Sequence, residues 1–194
     1  MAWGTQCYAQ QLRDDRKIET PLPLKNKSEQ ILYRKAYTTS YNKDYKIPNW
    51  VAWHLKWDAD AMYESFLFTN CCPQDANLNS GDWNQIEMSC RRWAEKFGDV
   101  YIVCGPILFN QEHETIGPNK VVVPEAFFKV VLCLKGKPKG IGFIRRNTDS
   151  SRRKGLYINS IKEVERITGM TFFPLLPSDI AATIKSEARL DDWQ

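Results

Sequence analysis

Histidine is scarce in this chain, with His54 and His113 the two present in 194 residues. General acid–base work at neutral pH therefore has few imidazoles to draw on. The six cysteines form no CxxC pair and no metal-finger spacing, which excludes the zinc-finger classes. No run is long and apolar enough for a membrane-spanning helix. Neither an internal repeat nor a domain linker is present, so repeat arrays and tandem domains are excluded as well. The net charge of +4 mildly favours an anionic partner without naming one.

What the chain does have is the makings of a core. Hydrophobic residues are 43% of the total, with seven Trp, eight Tyr and nine Phe, which describes one folded globular domain. Cys90, Cys104 and Cys133 fall in apolar patterns and read as buried small hydrophobes. Cys71 and Cys72 are adjacent, so a bridge between them would be strained. Basic residues cluster at Lys135–Lys139 and Arg145–Lys154, as solvated loops or as nucleic-acid contacts. The start, MAWGTQCYAQQ, reads either as the end of a secretory signal or as an ordinary frayed terminus.

Residues 1–28 are expected to form a signal remnant and extended arm, and 29–194 a single domain. Strand-like runs are Gln30–Tyr37, Tyr41–Leu55, Phe66–Thr69, Val100–Cys104, Lys120–Val123, Phe127–Leu134 and Gly140–Ile144. In the second, Val51, Trp53 and Leu55 share a face by period two. Helices are expected at Ala59–Glu64, Asp82–Phe97, Ser160–Thr168 and Ser178–Lys185. The second has the plainest pattern, with Trp83, Ile86, Cys90, Trp93 and Phe97 at spacings of three and four. Ser80 and Asp82 supply cap chemistry at its start, and Gly98 follows its end. Strands and helices mix without regular alternation, so the fold class is α+β.

The residues from Phe66 to Arg91 carry the chemistry. Glu87 and Arg91 are four apart and share a helix face with Asn84, off the apolar stripe. Asn79 sits in the loop just before, and Asn70 at the end of the preceding strand. Amide and carboxylate oxygens are what Mg²⁺ accepts, with waters retained. An arginine one turn on suits a phosphate oxygen. The same residues also fit a bland reading, in which Glu–Arg at this spacing is a surface ion pair and the asparagines are turn formers.

Several stretches in order carry a resemblance. Ser40-Tyr41-Asn42 with Pro48-Asn49-Trp50-Val51-Ala52-Trp53 comes first. Thr69-Asn70-Cys71-Cys72-Pro73-Gln74, Leu78-Asn79-Ser80-Gly81-Asp82-Trp83 and Ile86-Glu87 follow. Val100–Pro106, Val123-Pro124, Phe127–Val130, Gly142–Ile144 and Val164–Gly169 continue it. Together they resemble the DNA/RNA non-specific endonuclease family, the ββα-metal nucleases. The resemblance implies a mixed or antiparallel sheet with flanking helices, Mg²⁺ or another divalent cation, and sequence-independent cleavage of DNA and RNA through phosphate contacts. It also implies roles for particular residues. Asn79 would bind the metal, Glu87 would hold and orient metal-bound water, Arg91 would stabilise the phosphate, and Asn70 would support the site. A secreted or periplasmic location agrees with the signal-like start.

One element of the pattern is missing. The family's Asp-Arg-Gly-His signature, whose histidine is the general base, does not occur in this chain. Leu55 and Trp57, which flank the signature-bearing segment in the family, are separated here by Lys56 alone. The first strand of the ββα unit is thus expected to be missing. His54 alternates with Trp53 and Leu55 and points away from their face, and His113 lies in a polar loop. Three readings follow: a nuclease domain inactive or impaired for want of a base, a pseudo-nuclease that binds nucleic acid without cleaving it, or an incomplete version of an active enzyme. The second reading enlists Arg91, Arg145 with Arg146, and Arg152 to Lys154 as the grip.

Overall fold

The structure, a computed structural model, describes residues 18–55, 68–148 and 158–194. Its centre is a seven-stranded, wholly antiparallel sheet in the order β1-β2-β3-β4-β7-β8-β9. The strands are β1 (Gln30–Tyr33), β2 (Thr38–Asn42), β3 (Ile47–Leu55), β4 (Val100–Ile107), β7 (Ala126–Cys133), β8 (Lys139–Arg146) and β9 (Ile158–Asn159). A small hairpin, β5 (Thr115–Ile116) with β6 (Val121–Val122), interrupts the sequence between β4 and β7. The α+β expectation is met, and both sheet faces are covered. That is why β7, AFFKVVLC, is buried along its whole length and does not alternate.

Parity along the strands assigns residues to the two faces. Trp50, Ala52, Tyr101, Val103, Phe128, Val130 and Leu132 form one core. Over it lie α3 (Ile161–Thr168), α4 (Ser178–Ser186) and the Met170–Leu176 segment. The α3 N-terminus is held by a reciprocal cap, with Ser160 Oγ accepting from Glu163 N at 3.1 Å and Ser160 N donating to Glu163 Oε2 at 2.7 Å. Gly140 and Gly142 let these helices approach the sheet, because a Cβ at each would meet Ile161 Cδ1 at 2.5 Å and Val164 Cγ2 at 2.7 Å. The described part of the arm joins this face as well, with Ile18 buried in the core and Leu22 N–H donating to Thr171 O at 3.1 Å.

The opposite face carries Val100, Ile102, Phe127, Val131, Cys133, Ile141 and Phe143, with Trp53 and Leu55 beside them. The long helix α2 (Asn84–Phe97) lies over it, burying Ile86, Cys90 and Trp93 as the spacing predicts. Gly98 ends the helix at φ 90°. Trp193, from the C-terminal turn Asp191–Trp193, packs against Trp93 at 4.5 Å between ring centroids. Lys139 reaches the same turn, with its ammonium 3.4 Å from the Phe97 ring centre and 2.8 Å from Asp192 O. Burial there lowers its pKa. Part of the Lys135–Lys139 cluster is thus built into the fold.

Several sequence expectations change: Gln30–Tyr37 is a strand only to Tyr33, and Tyr41–Leu55 divides between β2 and β3 across a turn at residues 43–46. Phe68–Asn70 is a single 3₁₀ turn, not the end of a strand. Its backbone lies against β2 and β3, and it joins no ladder. The Lys120–Val123 run contributes two residues to the small hairpin, not a strand of the main sheet. The expected helix at 59–64 and the cluster at 152–154 lie outside the described residues. The five described cysteines are all free thiols.

The loop before β7 is clasped by Glu125. Its Oε2 accepts from Phe109 N at 2.9 Å, and its Oε1 lies 3.0 Å from His113 Nδ1 and 3.2 Å from Asn110 Nδ2. Burial pushes the Glu125 pKa up, but the bonds from His113 and the Phe109 amide outweigh it and hold the carboxyl below its usual value. A carboxylate with a lowered folded pKa adds stability above its unfolded pKa, ~4.3. That stability is lost as pH falls through the lower folded value. Urea midpoints are therefore expected to fall below about pH 4, and Glu125→Gln to flatten part of that fall. An unchanged acid limb in the variant would assign the loss to other carboxylates.

Candidate functional site

The site is built from the segment that enters α2. Asp75 caps a single helical turn, α1 (Ala76–Leu78), accepting from Asn77 N at 2.9 Å and Leu78 N at 3.0 Å. Asn147 fixes this loop to the strands. Its Oδ1 accepts from Asp75 N at 2.7 Å, and its Nδ2 donates to Pro73 O at 3.2 Å and Pro124 O at 2.8 Å. A wide π-type turn, Asn79–Trp83, follows, with Gly81 leaving helical geometry at ψ −111°. Gly81 kinks the chain between this turn and α2. The start of α2 thus differs from the sequence expectation. Asp75 is the cap, Ser80 Oγ donates to Ala76 O at 2.8 Å, and Asp82 turns to the sheet.

Asn79 stands exposed in the wide turn, and among the described residues its side-chain amide has no protein partner. Glu87 follows in the first turn of α2 and is half-exposed. Arg91 is exposed one turn on. The i, i+4 ion pair is not formed, and among the described residues Arg91 pairs with no carboxylate. Glu87 instead meets Lys129, whose Nζ is 3.3 Å from Oε1. Asn70 lies at the end of its 3₁₀ turn, half-buried and already engaged in a polar or electrostatic contact. Glu87 and Arg91 thus lie on α2, Asn79 precedes them across the kink at Gly81, and Asn70 is on a separate segment.

Beneath this run the sheet presents two buried cations that the sequence reading did not single out as site residues in this form. Lys129 projects from the middle of β7 and is 1% exposed. Its ammonium is 4.5 Å from the Trp83 ring centre and 6.0 Å from that of Trp53. Arg145 projects from β8 and is 2% exposed. Its Nε is 3.4 Å from Asp82 Oδ2, and its Nη1 donates to Ile144 O at 3.0 Å. Burial lowers the Arg145 pKa, with Asp82 opposing the shift. Arg145 is therefore a structural cation under the helix and is withdrawn from the basic grip expected of it, whereas Arg146 is exposed. The signal for Lys129 was present in the sequence as a single charge in an otherwise apolar run, FFKVV.

The thiols nearby are inert. Burial pushes Cys104 up to about 11, with Lys129 pulling down and Glu87 pushing up. Burial also raises Cys72, with Cys104 and Cys71 adding to it. Neither supplies a thiolate nucleophile near neutral pH. The two histidines are committed elsewhere. His54 shares parity with Ala52, so it faces away from α2, stacked on Tyr101 at 4.3 Å with Nε2 3.1 Å from Asp99 Oδ1. His113 belongs to the Glu125 clasp.

Among the described residues no group of three or more His, Cys, Asp or Glu is placed to hold a metal. What Asn79 and Glu87 offer is one open amide oxygen and a partly engaged carboxylate. That donor set fits a hard divalent cation that keeps most of its water, as Mg²⁺ does. It does not fit a closed zinc site.

Residues 54–179, more than half of the chain, match the DNA/RNA non-specific endonuclease family. The chain belongs to that family. The human mitochondrial nuclease EXOG is 32% identical over 160 residues, covering 71% of this chain and 44% of the relative. Human mitochondrial endonuclease G is 27% identical over 158 residues, covering 72% and 53%. The mitochondrial Nuclease 1 of Schizosaccharomyces pombe is 29% identical over 168 residues, covering 77% and 51%. This family member thus spans about half the length of these relatives. The matched stretch with EXOG is longer than 71% of 194 residues, so the relative carries residues inside it that this chain lacks. A crystal structure of an EndoG/EndoGI complex shares the fold, with TM-score 0.68 at 21% identity over 76% of this chain and 86% of that one.

The relatives correct one expectation. All three are mitochondrial by name, which overturns the secreted or periplasmic location drawn from the signal-like start. Among the described residues no helix is long and apolar enough to cross a membrane.

Proposed function

We propose that this family member is a nucleic-acid phosphodiester-binding domain of nuclease type, built on the wide turn and first turns of α2, with hydrolysis strongly impaired. The observation that carries the reading is Arg91, an exposed guanidinium without a carboxylate partner among the described residues, on the same segment as an open Asn79 amide and a Glu87 paired with Lys129. A guanidinium so placed can donate two parallel bonds to a phosphate. Asn79 would hold a divalent cation, Mg²⁺ by donor chemistry, and Glu87 would accept from its water. When bound, the cation would polarise the phosphate and stabilise the leaving oxygen. Asn70 supports the segment ahead of the site. Contacts of this kind address phosphates and not bases, so DNA and RNA are both expected as partners, independent of sequence.

Impairment follows from the want of a base. A general base must lie within hydrogen-bond reach of the attacking water. His54 faces the wrong side of the sheet and is held by Asp99, and His113 is held by Glu125. The shortfall of residues relative to EXOG agrees with loss of the Asp-Arg-Gly-His segment. A binding-only pseudo-nuclease is the second reading, favoured by the same histidine placement. Residues 29–194 are taken as the single domain, with Ile18, Leu22 and Leu24 of the preceding segment set against it, and the relatives' names favour a mitochondrial setting.

The test is cleavage and binding of plasmid DNA and of RNA by the purified chain, with Mg²⁺ and with EDTA. Slow, metal-dependent cleavage that disappears in Asn79→Ala is expected, together with binding that weakens steeply with salt and depends on Arg91. Cleavage that persists in EDTA, or in Asn79→Ala, would overturn the metal assignment. Binding that is indifferent to salt would overturn the phosphate grip.

A further inference from the structure

We propose that Lys129 is a positioning residue. It pins the Glu87 carboxylate and keeps it from ligating a divalent cation directly. The inference rests on the metal reading of Asn79 and Glu87 and adds a residue to it.

Lys129 occupies the centre of β7, between Cys104 on β4 and Phe143 on β8. Its side chain is 1% exposed, so its ammonium has been taken almost wholly out of water. A buried ammonium requires a counter-ion and polar or π contacts to remain charged. The structure provides both, with Glu87 Oε1 at 3.3 Å and the Trp83 and Trp53 ring centres at 4.5 and 6.0 Å. Trp83 is itself fixed against Phe127, with ring centroids 5.7 Å apart. The ammonium is fixed from the sheet side, and Glu87 is the carboxylate placed against it.

Glu87 has the opposite character. Its side chain is 41% exposed, with Oε1 set 3.3 Å from the Lys129 ammonium. The carboxylate is thereby held in one orientation and its charge is partly compensated. A divalent cation approaching it meets the ammonium's repulsion as well as the carboxylate's attraction. Such a carboxylate is better suited to accept hydrogen bonds from the cation's water than to displace that water. Lys129 thus orients an outer-shell carboxylate without touching the cation.

The test is Mn²⁺ binding, read by the electron paramagnetic resonance of free Mn²⁺, for wild type, Lys129→Met, Lys129→Arg and Asn79→Ala. Removing one positive charge beside the site is expected to tighten Mn²⁺ binding roughly tenfold in Lys129→Met. Lys129→Arg is expected to return the affinity toward wild type, and Asn79→Ala to weaken it. Lys129→Gln is a second neutral variant should the methionine chain fail to fold. Wild-type affinity in a folded neutral variant, or an arginine variant that behaves like the neutral one, would overturn the role of Lys129. Mn²⁺ binding unchanged by Asn79→Ala, or no Mn²⁺ binding by wild type, would overturn the metal reading and the Lys129 inference with it.

Discussion

Asp82→Ala is expected to lower stability by about 3–5 kcal/mol, because it removes the carboxylate set against a buried guanidinium. Arg145 is 2% exposed, with its Nε 3.4 Å from Asp82 Oδ2. Breaking one side of such a pair removes compensation from a charge with little water to solvate it, and that cost exceeds the pair's net worth. In a domain of this size the loss corresponds to a fall in melting temperature on the order of 10 °C. The reverse change should cost less. Asp82 keeps some exposure and sits close to the start of α2, where the helix dipole favours a negative charge. Arg145→Met is therefore expected to be milder than Asp82→Ala. The double variant Asp82→Ala/Arg145→Met should recover most of the loss, since an apolar isostere needs no counter-ion. Thermal and urea unfolding of the three variants check the order. Equal losses in all three would mean that the pair is not the reason Arg145 is tolerated beneath α2.

Added imidazole is expected to raise the rate of plasmid cleavage, recovering part of the ~10²–10⁴-fold that a positioned general base supplies. The expectation follows from the positions of the two histidines. His54 lies on the sheet face opposite α2 and is held 3.1 Å from Asp99, and His113 is held by Glu125. A diffusible base is needed only where the chain provides none. Its effect should grow with pH as imidazole loses its proton, near pH 7. His54→Gln should leave both the basal and the rescued rates unchanged. A rate that ignores imidazole while remaining metal-dependent would mean that another group of the chain activates water. A collapse in His54→Gln would mean that the β3 parity argument is wrong.

Both predictions rest on residues whose roles are not local. The apolar stripe of α2, its Gly98 stop and the Ser160–Glu163 cap of α3 are properties of a few neighbouring residues, and the sequence is enough to read them. The family motifs are also linear, so the match over residues 54–179 is legible in the sequence. Helical spacing puts Glu87 and Arg91 on one face of α2, and the ordered motifs place Asn79 just before it. Arg145 was not legible in this way. In the sequence it is the first of two arginines opening a basic cluster, and only the pairing of β7 with β8 turns it inward while Arg146 faces out. Phe68–Asn70 differs for a related reason. Strand-like composition does not make a strand when no neighbour offers a ladder, and the turn lies against β2 and β3 without pairing.

By itself the sequence determined the fold class, the family and the line of polar residues along α2, because periodicity, caps and ordered motifs are written in near neighbours. It also determined that the family's histidine is missing. Tertiary structure alone decided that Glu87 is paired with Lys129 and not Arg91, that Arg145 is buried, and that His54 and His113 are paired with Asp99 and Glu125. Those outcomes depend on cross-strand register and on which sheet face a helix covers. Residues far apart in the chain set both, and no local pattern encodes them.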